Sequence, residues 1–129
     1  MDSIFTKIIN REIPAYIIAE NDDFIAFLDV FPLVKGHTLV IPKKQVDNIF
    51  DLDDETYVGL WAFAKEISAK VNAAITCKRV GVAVIGLEVP HAHIHLVPLN
   101  SVEDINFSLP KIKLEESEFI EIHNKILNA

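Results

Sequence analysis

The stretch Val89-Pro90-His91-Ala92-His93-Ile94-His95-Leu96-Val97-Pro98-Leu99 puts histidine at every second position and an apolar residue in each gap. Three of the chain's five histidines lie here, within five residues. Successive side chains of an extended strand point to opposite faces. A strand over this stretch therefore puts His91, His93 and His95 on one face and Ala92, Ile94 and Leu96 on the other. The apolar face suits burial against a helix, which leaves the imidazoles in a row along a cleft or the surface. At a rise of about 3.3 Å per residue, neighbouring histidines stand roughly 6.6 Å apart and the outer pair roughly 13 Å apart.

Three readings of the row compete. A metal site needs three or four converging ligands, and only His37, His123, Cys77 and carboxylates remain to complete one. A plain polar strand face needs no histidine, since Asp, Lys, Thr or Ser serves as well. The third reading uses imidazole as imidazole. Clustered histidines disfavour one another's protonation, so one stays neutral and nucleophilic near pH 7. Such a nitrogen can attack phosphorus or an acyl carbon while a neighbour assists the leaving group.

Outward from the row, the chain is a string of short strands with helices at its start, middle and end. Ser3 precedes Ile4, Phe5, Ile8 and Ile9 at helical spacing, a short helix that ends before Pro14. AYIIAEN and FIAFLDV, either side of Asn21-Asp22-Asp23, have the composition of a hairpin. HTLVIP is a further strand, introduced by Gly36 and closed by Pro42. From Asp51 onward, Tyr57, Leu60, Trp61, Ala64, Ile67, Ser68, Val71 and Ile75 mark one face of a long helix, with Asp51 or Asp53 to cap it. RVGVAVIGLEV and HAHIHLVPL are strand-like around Pro90, and LEESEFIEIHNKILN closes the chain as an acid-led helix. The expectation is an α+β fold: a largely antiparallel five-stranded sheet, one long helix, a short N-terminal helix and a C-terminal helix. No linker, repeat or low-complexity run divides residues 1–129, so one domain is expected.

Composition narrows the function classes. A net charge of −7 argues against broad attraction to nucleic acid or an anionic membrane. No apolar run is long enough to span a bilayer, and the opening MDSIFTKIINR does not read as a signal peptide. The single cysteine, Cys77, permits no internal disulfide and suits a reducing cytoplasm.

HAHIHLV resembles the signature of the histidine triad (HIT) family of nucleotide hydrolases and transferases. IFTKIINREIPAYIIAENDDFIAFLDV is similar to that family's first helix and hairpin, and KGHTLVIPKK to its next strand. With these blocks in the family's order, the resemblance covers residues 3 to about 99. It implies a HIT-like fold and a hydrolase of nucleoside 5′-phosphoramidates or related nucleotidyl conjugates. His93 would be the nucleophile of a covalent nucleotidyl-histidine intermediate. His95 would contact phosphate oxygens or the leaving group, and His91 would orient the row. His37 corresponds to a family histidine beside the triad, although a strand-start residue bonded to backbone explains it equally well. Asp29 stands where the family binds ribose hydroxyls, and Ile4, Phe5 and Phe27 where it surrounds the base, here a purine. A homodimer formed through the long helix and a strand is also implied.

Three departures stand out. Many relatives hold a structural zinc with two helix cysteines, a histidine after IPK and the first triad histidine; here Ser3, Thr6 and Gln45 replace the other ligands, so no zinc or other cofactor is expected. The family's Gly-Gln-Ser/Thr phosphate cradle reads Gly86-Leu87-Glu88, and an ionised carboxylate accepts but cannot donate. VGVAVI replaces an Asn-containing loop. Dinucleoside polyphosphate hydrolysis and nucleotide binding without catalysis therefore stand as alternatives.

Overall fold

The computed structural model describes residues 1–129. The chain runs through α1 (Ile4–Ile9), β1 (Ile17–Glu20), β2 (Phe24–Leu28), β3 (Thr38–Pro42), α2 (Asp54–Ala74), β4 (Arg79–Ala83), β5 (Ile94–Leu99) and α3 (Glu116–Leu127). The five strands form one sheet in the order β1-β2-β3-β5-β4, with every neighbouring pair antiparallel. The α+β architecture expected from the sequence is the one observed.

Each element follows from local chemistry. Ser3 caps α1 by accepting from the Thr6 N–H at 3.0 Å. Asn21 closes the β1–β2 hairpin, its side chain accepting from the backbone N–H groups of Asp23 and Phe24 at 2.9 and 2.8 Å. Gly36, at φ 91, holds the left-handed turn into β3, and a β-carbon there would stand 2.8 Å from Ile75.

The sheet has two dissimilar faces. Ala26, Leu28, Val40, Ile94 and Leu96 pack against Leu60, Ala64, Ile67 and Val71 of α2 and Phe119, Ile122 and Ile126 of α3. Ile25, Phe27, Leu39 and Ile41 face the other way, against Phe5 and Ile8 of α1. Burying a residue such as Ile94, with no exposed surface, stabilises the fold by about 2 kcal/mol. Phe63 joins the buried seam of α2, stacked on Phe24 at 5.7 Å, whereas Tyr57, Trp61, Ser68 and Ile75 are only half-buried.

Two expectations need correction. The strand over RVGVAVIGLEV stops at Ala83, and residues 84–93 form a loop with Gly86 at φ 68. His91 and His93 lie in this loop rather than in a strand, because the nearby backbone donors are engaged elsewhere. The His91 N–H bonds the Val89 carbonyl at 2.8 Å, and the Ala92 N–H bonds the Val46 carbonyl at 2.7 Å. The alternation of faces nevertheless persists through the loop, with Ala92 in the core beside Ile94 and Leu96. All three histidines are buried, so of the two expected placements, cleft or surface, the surface row does not hold. β4 is an edge strand and leaves Val82 half-exposed, with Val84, Ile85 and Leu87 exposed beyond it.

Candidate active site

The triad sits on the α1 side of the sheet. β5 supplies His95, opposite Leu39 of β3 and Ala83 of β4. The loop before it supplies His91 and His93, and Gly36 brings His37 in at the start of β3. The rings form one cluster. Phe5 lies 5.8 Å from His91 and 5.1 Å from His93, His93 lies 4.9 Å from His95, and His95 lies 5.2 Å from His37, centre to centre. Phe27 packs on Phe5 at 5.6 Å.

Partners of fixed polarity determine where each imidazole carries its proton. His93 Nδ1 faces the carbonyl of His91 at 2.7 Å and must donate, so its Nε2 is an unprotonated lone pair. His37 Nδ1 accepts the Leu33 N–H at 3.0 Å, so the proton of His37 is on Nε2. That proton is directed at His95 Nδ1, 2.9 Å away, which makes His95 Nε2 an N–H donor. His93 Nε2 and His95 Nε2 have no partner within the chain. Both reach solvent, since Trp61 Nε1 is the sole buried side-chain polar atom lacking a partner. The site thus presents a nucleophilic lone pair beside a hydrogen-bond donor.

Burial keeps the cluster uncharged. Removal from water pushes His37 down to about 4 and His95 down to about 3, helped by the Lys111 ammonium and by neighbouring imidazoles. Burial lowers His91 and His93 too, against hydrogen bonds to Pro42 and His91 carbonyls that act in the opposite sense. Asp29 is raised to about 6 by burial, opposed by the Phe31 N–H and Lys111 and reinforced by Glu88. Asp29 Oδ1 accepts from the Phe31 N–H at 2.9 Å, and Oδ2 lies 3.6 Å from His37 Nε2. Because His37 is neutral, that contact is not an ion pair.

His91 is oriented by a polar network from the first helix. Its Nε2–H donates to the Pro42 carbonyl at 2.7 Å, so Nδ1 accepts from the Ser3 hydroxyl at 2.8 Å. Gln45 Oε1 accepts from the Thr6 hydroxyl at 2.7 Å and from the Ser3 N–H at 2.8 Å, and Gln45 Nε2 donates to the Met1 carbonyl at 3.0 Å. The residues standing where relatives hold zinc offer hydroxyls, an amide and an imidazole with both nitrogens engaged. They do not fit that metal. Asp29, His37 and His95 also bring potential ligand atoms within 4.8 Å of one another, but a shared proton occupies the His37–His95 contact.

Of the expected base-contacting residues, Phe5 and Phe27 are buried against the triad, whereas Ile4 is half-exposed and open to a ligand. Gly86 is half-buried, with open space where a β-carbon would project. Glu88 is exposed. Sequence reasoning missed Phe107, whose ring meets His95 edge-on at 4.7 Å and His37 at 6.1 Å. A lone aromatic in a polar loop carries no signal of such a role.

A family model described as the HIT domain matches residues 10–102. The chain belongs to the HIT family. An uncharacterised HIT-like protein of Borreliella burgdorferi is 37% identical, over 97% of this chain and 96% of that one. The adenosine 5′-monophosphoramidase of Saccharomyces cerevisiae is 35% identical, over 74% of this chain and 61% of its own. The crystal structure of a HIT-like protein from Bartonella henselae superposes with a TM-score of 0.84 at 32% identity, covering 98% of this HIT chain and 95% of that one.

Two outcomes test this wiring. Ser3→Ala removes a helix cap and leaves His91 Nδ1 without its donor, at a cost of about 2–3 kcal/mol in urea unfolding; Ser3→Thr should restore most of it, and a loss below about 0.5 kcal/mol would refute the network. The second concerns pH. Unfolded, these imidazoles take up protons near 6.5, whereas in the folded chain His37 and His95 stay neutral to about 4 and about 3. The stability they contribute is full above 6.5 and is lost as pH falls through 4. Asp29 acts oppositely between 3.8 and about 6, but one carboxyl faces four imidazoles. The urea midpoint should fall between pH 7.5 and pH 5, and by less in His37→Asn.

Proposed function

We propose that this protein hydrolyses nucleoside 5′-phosphoramidates or related nucleotidyl conjugates, with a purine nucleotide as the group transferred. The observation that carries the reading is the solvent-facing lone pair of His93, fixed by donation from Nδ1 to the His91 carbonyl at 2.7 Å. The phosphoramidase activity named for the yeast relative supports it.

In this reading His93 Nε2 attacks phosphorus and the P–N bond breaks. The departing nitrogen takes its bonding pair and a proton from water, leaving as an amine. The positive charge that develops on the nucleotidylated His93 is spread toward Nδ1–H, where the His91 carbonyl receives it. His95 Nε2–H donates to a phosphoryl oxygen, and the His37 N–H behind it fixes its tautomer. A water that gives up its proton to the hydroxide left by the first step then attacks phosphorus, releases the nucleoside monophosphate and returns the lone pair to His93. Asp29 accepts from the ribose hydroxyls, and it is largely ionised at pH 7 with a pKa of about 6. Phe5, Phe27 and the exposed Ile4 form an apolar side for the base, and Gly86 leaves room for a phosphate oxygen.

Glu88 favours a second reading, nucleotide binding without turnover. It occupies the place of the family's phosphate-bonding hydroxyl, and its charge acts on both Asp29 and His93. Dinucleoside polyphosphate hydrolysis uses the same groups, but its extra phosphates meet the same carboxylate.

No helix is long and apolar enough to cross a membrane. The single cysteine supports a reducing compartment such as the cytoplasm. The exposed apolar residues Val82, Val84, Ile85 and Leu87, at and beyond edge strand β4, support a homodimer through that edge and α2.

Incubation with adenosine 5′-phosphoramidate should release AMP, and His93→Ala should slow release by at least about a thousandfold. Equal rates in the two proteins would remove His93 as nucleophile. Saturable AMP binding with no turnover by the parent would favour the binding-only reading. In sedimentation equilibrium the protein should behave as a dimer and Val82→Lys as a monomer; a monomeric parent would rule the interface out.

A further inference from the structure

The matched family domain ends at residue 102, yet the chain beyond it folds back over the histidine cluster. This strap is held at both ends. Asp104 accepts from the backbone N–H groups of Asn100 and Ser101 at 2.7 and 3.0 Å, closing the turn that leaves β5. At the far end the Ile112 N–H donates to the Pro32 carbonyl at 3.0 Å, on the loop that follows Asp29. Between these anchors Phe107 lays its ring edge-on against His95, 4.7 Å away. Lys111 Nζ then folds over that ring, 5.5 Å from its centre, and donates to the Phe107 carbonyl at 3.0 Å.

The charge balance of the site shows what this lysine can do. Its imidazoles are neutral, and its other charged neighbours, Asp29 and Glu88, are acids. A nucleotide phosphate entering beside His93 and His95 would meet hydrogen-bond donors but no cation from the family motif itself. Lys111 is the sole lysine or arginine whose field acts on Asp29, His37 and His95. Its exposed ammonium is free to turn toward a ligand at the cost of one surface hydrogen bond.

We propose that Lys111, carried by the Phe107 strap, binds the 5′-phosphate of the nucleotide and supplies the positive charge that the triad and its flanking acids lack. The proposal rests on the nucleotide reading above and adds a residue from outside the matched domain to its phosphate site.

The test is calorimetric titration of the full chain with AMP and with adenosine. Lys111→Gln should weaken AMP about tenfold and leave adenosine unchanged, while Lys111→Arg keeps most of the AMP affinity. AMP binding by the parent should weaken as salt is raised, and that dependence should flatten in Lys111→Gln. Unchanged AMP affinity in Lys111→Gln overturns the proposal. So does an equal loss for AMP and adenosine, which would make the lysine a clasp for the strap. A parent that binds neither ligand refutes the nucleotide reading, and the role of Lys111 falls with it. Binding without turnover refutes only the hydrolase reading and leaves the lysine's role intact.

Discussion

Side chains alternate along an extended chain, so anchoring Ala92, Ile94 and Leu96 in the core beneath α2 obliges His91, His93 and His95 to project from the opposite side. The alternation survives where the ladder ends. The Ala92 N–H bond to the Val46 carbonyl ties this stretch down without a strand ladder, and the His91 N–H closes a tight turn onto the Val89 carbonyl just before it. Slipping the stretch by one residue would place three imidazoles in the apolar core and expose Ile94. The large core on the α2 side thereby fixes the small polar cluster on the α1 side.

Within that cluster, two backbone groups decide the chemistry of three imidazoles. The Leu33 N–H can only donate, which sets His37 and through it His95; the His91 carbonyl can only accept, which sets His93. Burial then keeps the rings neutral, so these assignments hold at physiological pH. The Ser3, Thr6 and Gln45 network orients His91 with hydroxyls and an amide that draw no charge into the site.

Much of this was legible in the sequence. The five strands, the three helices and the Ser3 cap follow from periodicity, turn residues and capping chemistry, all local properties. The histidine row was visible as a period of two, and its identity as a family signature fixed His93, His95, His37 and Asp29 as candidates. The zinc positions were visible as substitutions, because a missing thiolate is missing whatever the fold.

Tertiary structure decided what depends on contacts between residues distant in the chain. That β4 stops at Ala83 follows from competition for backbone hydrogen bonds, which an apolar run such as VGVAVIGLEV does not encode. That the histidines are buried, and therefore neutral, follows from Phe5 arriving from α1 and Phe107 from beyond β5. The tautomers depend on single N–H and C=O groups of Leu33 and His91, whose directions no side-chain pattern specifies. Lys111 is one of twelve lysines and arginines in the sequence, and only the fold sets it apart by resting it on a ring that touches the triad. Sequence determined which groups were available, since composition and spacing are local; packing determined which of them meet, in what protonation state, and around which ligand charge.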